Sequence, residues 1–97
     1  MTKAYWIVHV KVNKPDTYKQ YVALAGPAVA QHGGTFLVRG GNQHIAEGTS
    51  LGERAVVIEF SSIEQAIACY HSAAYQEARS ARRGAAEFHC VIVEGVA

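Results

Sequence analysis

No stretch of this 97-residue sequence approaches the roughly 20 consecutive apolar residues that a membrane-spanning helix needs. The N-terminus lacks the pattern of a signal peptide. Charge of one sign is missing too: nine Lys and Arg stand against eight Asp and Glu. So balanced a chain offers no electrostatic footprint for nucleic acid or an anionic membrane. Cysteine is scarce, and Cys69 and Cys90 stand singly among apolar neighbours without Cys-x-x-Cys spacing. They read as two buried free thiols in a cytoplasmic protein. Phosphate-binding glycine loop, nucleophile elbow and dinucleotide fingerprint are all absent, and Gly40-Gly41 is too short to stand for one. No helical His-x-x-x-His spacing calls for a metal, and no motif calls for a cofactor.

What is present is ordinary for a globular chain, with 49% hydrophobic and 18% charged residues. The length suits one domain, residues 1–97, around one core. "YWIVHVKV" (5–12) alternates, with Trp6, Val8, Val10 and Val12 on one face and Tyr5, Ile7, His9 and Lys11 on the other, which predicts a strand. Pro15 suits the first turn of a helix. Tyr18, Tyr21, Val22, Ala25 and Val29 follow at helical spacing, Gly26-Pro27 predicts a kink, and Gly33 or Gly34 the stop. "FLVRGGNQHIAEG" (36–48) reads as one strand over 35–39 and 43–47, interrupted by Arg39-Gly40-Gly41, with "TSLG" (49–52) as the turn after it. "ERAVVIEF" (53–60) alternates again, with Val56, Ile58 and Phe60 on one face. Ser61 and Glu64 have capping-box spacing for a second helix, with Ile63, Ala66, Ile67 and Tyr70 on its buried side. Ser72 can cap a further segment that carries Tyr75 and Ala78 inward and stops at Gly84. "EFHCVIVEG" (87–95) is the last strand.

The order strand, helix, strand, strand, helix, strand, with right-handed crossovers, predicts a ferredoxin-like βαββαβ α+β sandwich. Its antiparallel sheet has the order 4-1-3-2, with the helices on one face. The other face (Tyr5, Ile7, Val57, Val91, Val93) is too apolar for water. A second copy packed sheet to sheet is the expected partner, giving a homodimer.

"YWIVHV", "FLVRGG", "VVIEF", "YHSAAYQEARSARR" and "VIVEGV", in this order and spacing, resemble the domain of unknown function 1330 family, small bacterial proteins of the dimeric α+β barrel superfamily. The resemblance implies the same fold and dimer and brings no established activity. It also implies that Arg39-Gly40-Gly41, Ser72, Tyr75 and Arg82 match the polar positions typical of such sequences. The wider superfamily includes cofactor-less monooxygenases, haem-degrading enzymes, muconolactone-isomerase-like enzymes and amino-acid-sensing domains, so fold alone does not choose a function.

Three groups of residues are candidates for chemistry. If Val8 lies beside Cys90, His9 and His89 become cross-strand neighbours on the open face, with Glu59 on that face too. They form an acid–base set, bind a metal, or hydrogen-bond one another across a dimer interface. Arg39, at a double-glycine break, either presents a cation at a cleft where Gly40 and Gly41 let a ligand approach, or marks a β-bulge with Arg39 solvated or paired to Glu59. Arg79, Arg82 and Arg83 suit the last turn of a helix, where cations complement its dipole. Arg82, seven residues after Tyr75, is the one aimed inward, in a cleft with Tyr75, Ser72 and Arg39 as a further candidate. Such a set suits a small carboxylate or enolate, or else ties helix to strand. Trp6, Tyr18 and Tyr21 read as core, and His32, His44 and His71 carry no assignment.

The function classes that follow are three. One is a cofactor-independent enzyme acting on a small anionic or carbonyl-bearing molecule, with one pocket per subunit and His9 or Tyr75 handling a proton. The others are a non-catalytic binding or sensing module and a structural dimer without a ligand.

Overall fold

Strict alternation of side chains makes β1 (Ala4–Val12) a central strand: Ala4, Trp6, Val8 and Val10 are buried, and Tyr5, Ile7 and His9 between them only half so. The structure is a computed structural model and describes residues 2–97. Pro15 opens α1 (Pro15–Gln31), which runs on through Gly26-Pro27 and buries Tyr18, Tyr21, Ala25, Ala28 and Val29 against the sheet. Gly33, at φ +73°, turns the chain out of the helix. β2 (Thr35–Arg39), β3 (Arg54–Phe60), α2 (Ile63–His71), α3 (Ala73–Ala81) and β4 (Ala86–Glu94) complete the chain.

The four strands form one open antiparallel sheet in the order β2-β3-β1-β4, which is 4-1-3-2 read from the other edge. This is the ferredoxin-like βαββαβ layout, with its second helix divided at Ser72. That serine accepts a bond from Tyr75 N (3.2 Å) and donates to Cys69 O (2.7 Å), so it closes α2 and caps α3. Trp6 is the centre of the core. Its ring meets Tyr75 (4.9 Å between centroids), Phe60 (5.4 Å) and Tyr70 (5.9 Å), and its Nε1 donates to Ala66 O (3.0 Å), fastening α2 to the sheet.

Three expectations need correction. Residues 43–47 form no strand: the ladder ends at Arg39 opposite Val56, Gly40 leaves it at φ +74°, and an irregular loop runs to β3. With β3 starting at Arg54, Ile45 and Ala46 have no strand to pair with. The cap of α2 is Ser62, which accepts from Gln65 N (3.2 Å); the Ser-x-x-Glu/Gln frame lies one residue beyond Ser61–Glu64. That shift turns Cys69 inward and leaves Ile67 43% exposed.

Candidate functional site

Phe36 pairs with Ile58 but Val38 pairs with Val57, so Leu37 is an extra residue, a β-bulge. In a regular strand Phe36 and Val38 would share a face. The bulge instead brings Phe36 and Arg39 together on the helix side, where the Arg39 guanidinium lies 4.0 Å from the centroid of the Phe36 ring. Arg54, at the start of β3, is on the same side, two and four residues before the buried Val56 and Ile58. Its guanidinium passes directly over Gly40, where a Cβ would collide with it.

Two spaces meet at Arg54. An open cleft of about 630 Å³ is lined by Tyr18, Lys19 and Val22 of α1 and by Gly40, Glu53 and Arg54 opposite. Behind it, an apolar cavity of about 30 Å³ under α1 is lined by Trp6, Tyr21, Phe36, Phe88 and the Arg39 and Arg54 side chains. Its volume holds little more than a water molecule. Tyr18, Val22 and Arg54 line both spaces and form the wall between them.

The polar groups here are mostly donors. The Tyr21 and Tyr75 hydroxyls share a buried hydrogen bond of 2.8 Å. Burial raises the Tyr18 phenol above its ordinary range, while the Arg54 and Arg82 guanidiniums pull it down. Burial also raises Tyr21 and Tyr75, the Tyr75 shift opposed by its contacts with Tyr21 and Arg82. All three phenols therefore stay protonated near neutral pH: they donate but do not abstract protons. Arg54 Nε and Arg82 Nε are buried without a hydrogen-bond partner. Such an orphaned donor is costly, and an anionic oxygen would satisfy it. At the cleft rim, the Glu53 carboxylate accepts from Val12 N (2.9 Å), which holds it below the usual range.

The residues singled out in the sequence lie in three places. Arg39 and Gly40 belong to the α1 cleft and cavity, and Gly41 follows them in the loop. Arg82 stacks on Phe88 (3.8 Å) and Tyr21 (5.1 Å) and lines a different cleft at the β4 edge. Tyr75 lies fully buried between these regions, and Ser72 is engaged as the helix cap. His9 and His89 are Cα partners in the ladder, on the opposite sheet face. Glu59 shares that face but pairs with Tyr5, whose hydroxyl donates to it (3.2 Å), and it bridges to Lys3 (3.3 Å). It thus lies away from the histidines and across the sheet from Arg39. Among the described residues no group of three or more His, Cys, Asp or Glu is arranged to hold a metal, and no helix is long and apolar enough to cross a membrane.

Sequence reasoning passed over Arg54 and Lys19 and read Tyr18 only as core. For Arg54 a signal existed: the alternation of Val56, Ile58 and Phe60, carried back two residues, puts an arginine on the core face. Tyr18 carried the same period as the core and gave no separate sign.

No curated protein sequence matches the chain. Its fold is similar to that of a protein of unknown function from Rhodopseudomonas palustris (TM-score 0.78, 15% identity, 99% of this chain and 84% of that one). It is similar to SnoaB, a cofactor-independent oxygenase from Streptomyces nogalater (TM-score 0.65, 9% identity, 100% and 96% covered). A dimeric ferredoxin-like protein of unknown function from Thermobifida fusca also shares the fold (TM-score 0.57, 16% identity, 99% and 92% covered). Identities this low carry the fold and no activity. The sequence itself matches a family model over residues 3–96, and the chain belongs to the domain of unknown function family DUF1330.

Proposed function

We propose that each subunit binds a small anionic or carbonyl-bearing organic molecule in the cleft beside α1. The observation that carries this reading is the buried, unpartnered Arg54 Nε at the wall between the open cleft and the apolar cavity. The anionic end of the ligand meets Arg54 and Arg39, the Tyr18 hydroxyl donates to it, and its apolar body displaces Val22 to enter beneath α1. Gly40 leaves Arg54 its space, and Gly41 gives the loop its freedom. Arg82 and Tyr75 act from behind, through Tyr21, on the polarity of the cavity wall.

As an enzyme, the protein would stabilise an enolate or similar anion with the two guanidiniums, without a cofactor. The fold shared with a cofactor-independent oxygenase is compatible with this. The competing reading is binding without turnover, and one observation favours it: no histidine lines the cleft or the cavity, and the one carboxylate there, Glu53, is engaged by Val12 N (2.9 Å), which lowers its basicity. Of the two expected proton carriers, Tyr75 is buried and stays protonated, and His9 would serve from the opposite face only across a dimer. A carboxylate panel screened by thermal shift, followed by product analysis of each binder, separates the two readings. Binding lost in Arg54→Ala supports the site; binders recovered unchanged favour the sensing role.

We also assign the open sheet face to a second copy of the chain. Val91 and Val93 are 61% and 44% exposed there, beside Ile7 and Val57. The Thermobifida fusca protein of the same fold is described as dimeric, which supports a dimer here. Light scattering at micromolar concentration is the test, and a mass of one chain would contradict it.

A further inference from the structure

At the β4 edge, α3 ends in a concentration of positive charge that capping does not explain. Two adjoining clefts, of about 240 Å³ and 420 Å³, share Arg79 and Arg82. Arg83 and Ser80 line the smaller one, and Tyr70, His71, Phe88, Cys90 and Ile92 the larger. No carboxylate lines either. Among the described residues the ion pair found is Lys3–Glu59, so these arginines have no acidic partner. The one side-chain bond made by Arg79 goes to the neutral Gln76 Oε1 (3.4 Å). Arg82 is held flat by stacking on Phe88 (3.8 Å), and its buried Nε is unpartnered. One cation complements a helix C-terminus; three within two adjoining clefts repel each other unless a counter-charge joins them.

We propose that this region is a second ligand site, separate from the Arg54 cleft, and that it takes a phosphate monoester with a small apolar body. A monocarboxylate would leave most of the charge uncompensated. A dianionic phosphate offers three oxygens to the guanidinium forks of Arg79, Arg82 and Arg83; the Ser80 hydroxyl beside them is already donated to Gln76 O (3.1 Å). The apolar floor of Phe88, Cys90 and Ile92, roofed by Tyr70, receives the organic group. The two β4-edge clefts share no residue with the open Arg54 cleft, and only Phe88 with the cavity behind it. Arg82, which stacks on Tyr21, borders both regions, but the ligand contacts of the two sites are otherwise separate.

Titration calorimetry in a phosphate-free buffer with phenyl phosphate, inorganic phosphate and benzoate tests it. Phenyl phosphate is expected to bind more tightly than inorganic phosphate, which lacks the apolar group. The double variant Arg79→Gln/Arg83→Gln is expected to weaken it at least about tenfold, the loss of two charge-assisted contacts. Both side chains are exposed, so the variant should keep its melting temperature, and Arg54→Ala should leave phenyl phosphate binding unchanged. Any of three results overturns the proposal: no heat at millimolar phenyl phosphate, equal affinity in the double variant, or loss of binding in Arg54→Ala. Failure of benzoate to bind at the Arg54 cleft would count against the function proposed above and leave this site standing.

Discussion

Gly40 and Arg54 compete for one space: Gly40 has φ +74°, and a methyl group on its α-carbon would fall on the Arg54 guanidinium. Gly40→Ala should therefore cost about 1–2 kcal/mol from the left-handed backbone alone and also push Arg54 out of the wall. Gly41→Ala is the control, since nothing lies within 4 Å of its would-be Cβ. Urea denaturation should separate the two variants. Equal stability would mean that Gly40 is an ordinary loop residue.

The Tyr21–Tyr75 hydrogen bond gives a second prediction. Tyr75→Phe leaves the buried Tyr21 hydroxyl without its partner, at a cost of about 1–3 kcal/mol. At this chain length that lowers the melting temperature by several degrees. Removing both hydroxyls in Tyr21→Phe/Tyr75→Phe should cost less than the two single changes summed. Strict additivity in the double-mutant cycle would show the bond to be energetically idle.

Alkaline pH should destabilise the fold. Burial lifts the Cys69 and Cys90 thiols from 9.0 to about 11, and it lifts Tyr18, Tyr21 and Tyr75 above 10.0. An acid that ionises less readily folded than unfolded stabilises the native state fully below its unfolded pKa, and that contribution falls as pH rises beyond it. The urea midpoint should thus be level to about pH 8.5, fall as the unfolded thiols ionise, and fall more steeply above about pH 10 with the tyrosines. A flat profile to pH 11 would contradict the burial of these groups.

A charge on the open sheet face should separate the proposed dimer. Val91→Asp changes a residue 61% exposed in one chain, so it should leave the subunit fold intact by circular dichroism while halving the mass by light scattering. An unchanged mass would place the interface elsewhere.

Strand alternation and helix periodicity carried the fold because each strand has one buried face, which fixes which residues share a face. The pairing of Val8 with Cys90, and with it His9 with His89, was one of the registers that matching apolar faces allows, and the ladder adopts it. A bulge was one reading of the Arg39 double-glycine break, but its place at Leu37 was not legible, because "FLVR" alternates acceptably by itself and only pairing with β3 reveals the extra residue. That bulge aims Arg39 at the helix side, away from Glu59. The expected strand at 43–47 failed for a related reason: a short alternating run becomes a strand only where a partner strand continues beside it. Arg54 was within reach of the sequence, since it extends the core-facing row of Val56, Ile58 and Phe60, and an arginine in such a row asks what its charge is for. The cleft itself arises from the spacing between α1 and the sheet, which no local pattern encodes.

The most direct test of the anion cleft is titration calorimetry of the best-binding carboxylate from the screen against wild type, Arg54→Ala and Arg39→Ala. Arg54, with its buried unpartnered Nε, should account for a loss of at least about tenfold, the effect of one charge-assisted hydrogen bond. The exposed Arg39 should account for a smaller one, because solvent screens it. Equal affinity in all three proteins would contradict the account and leave the cleft without a ligand role.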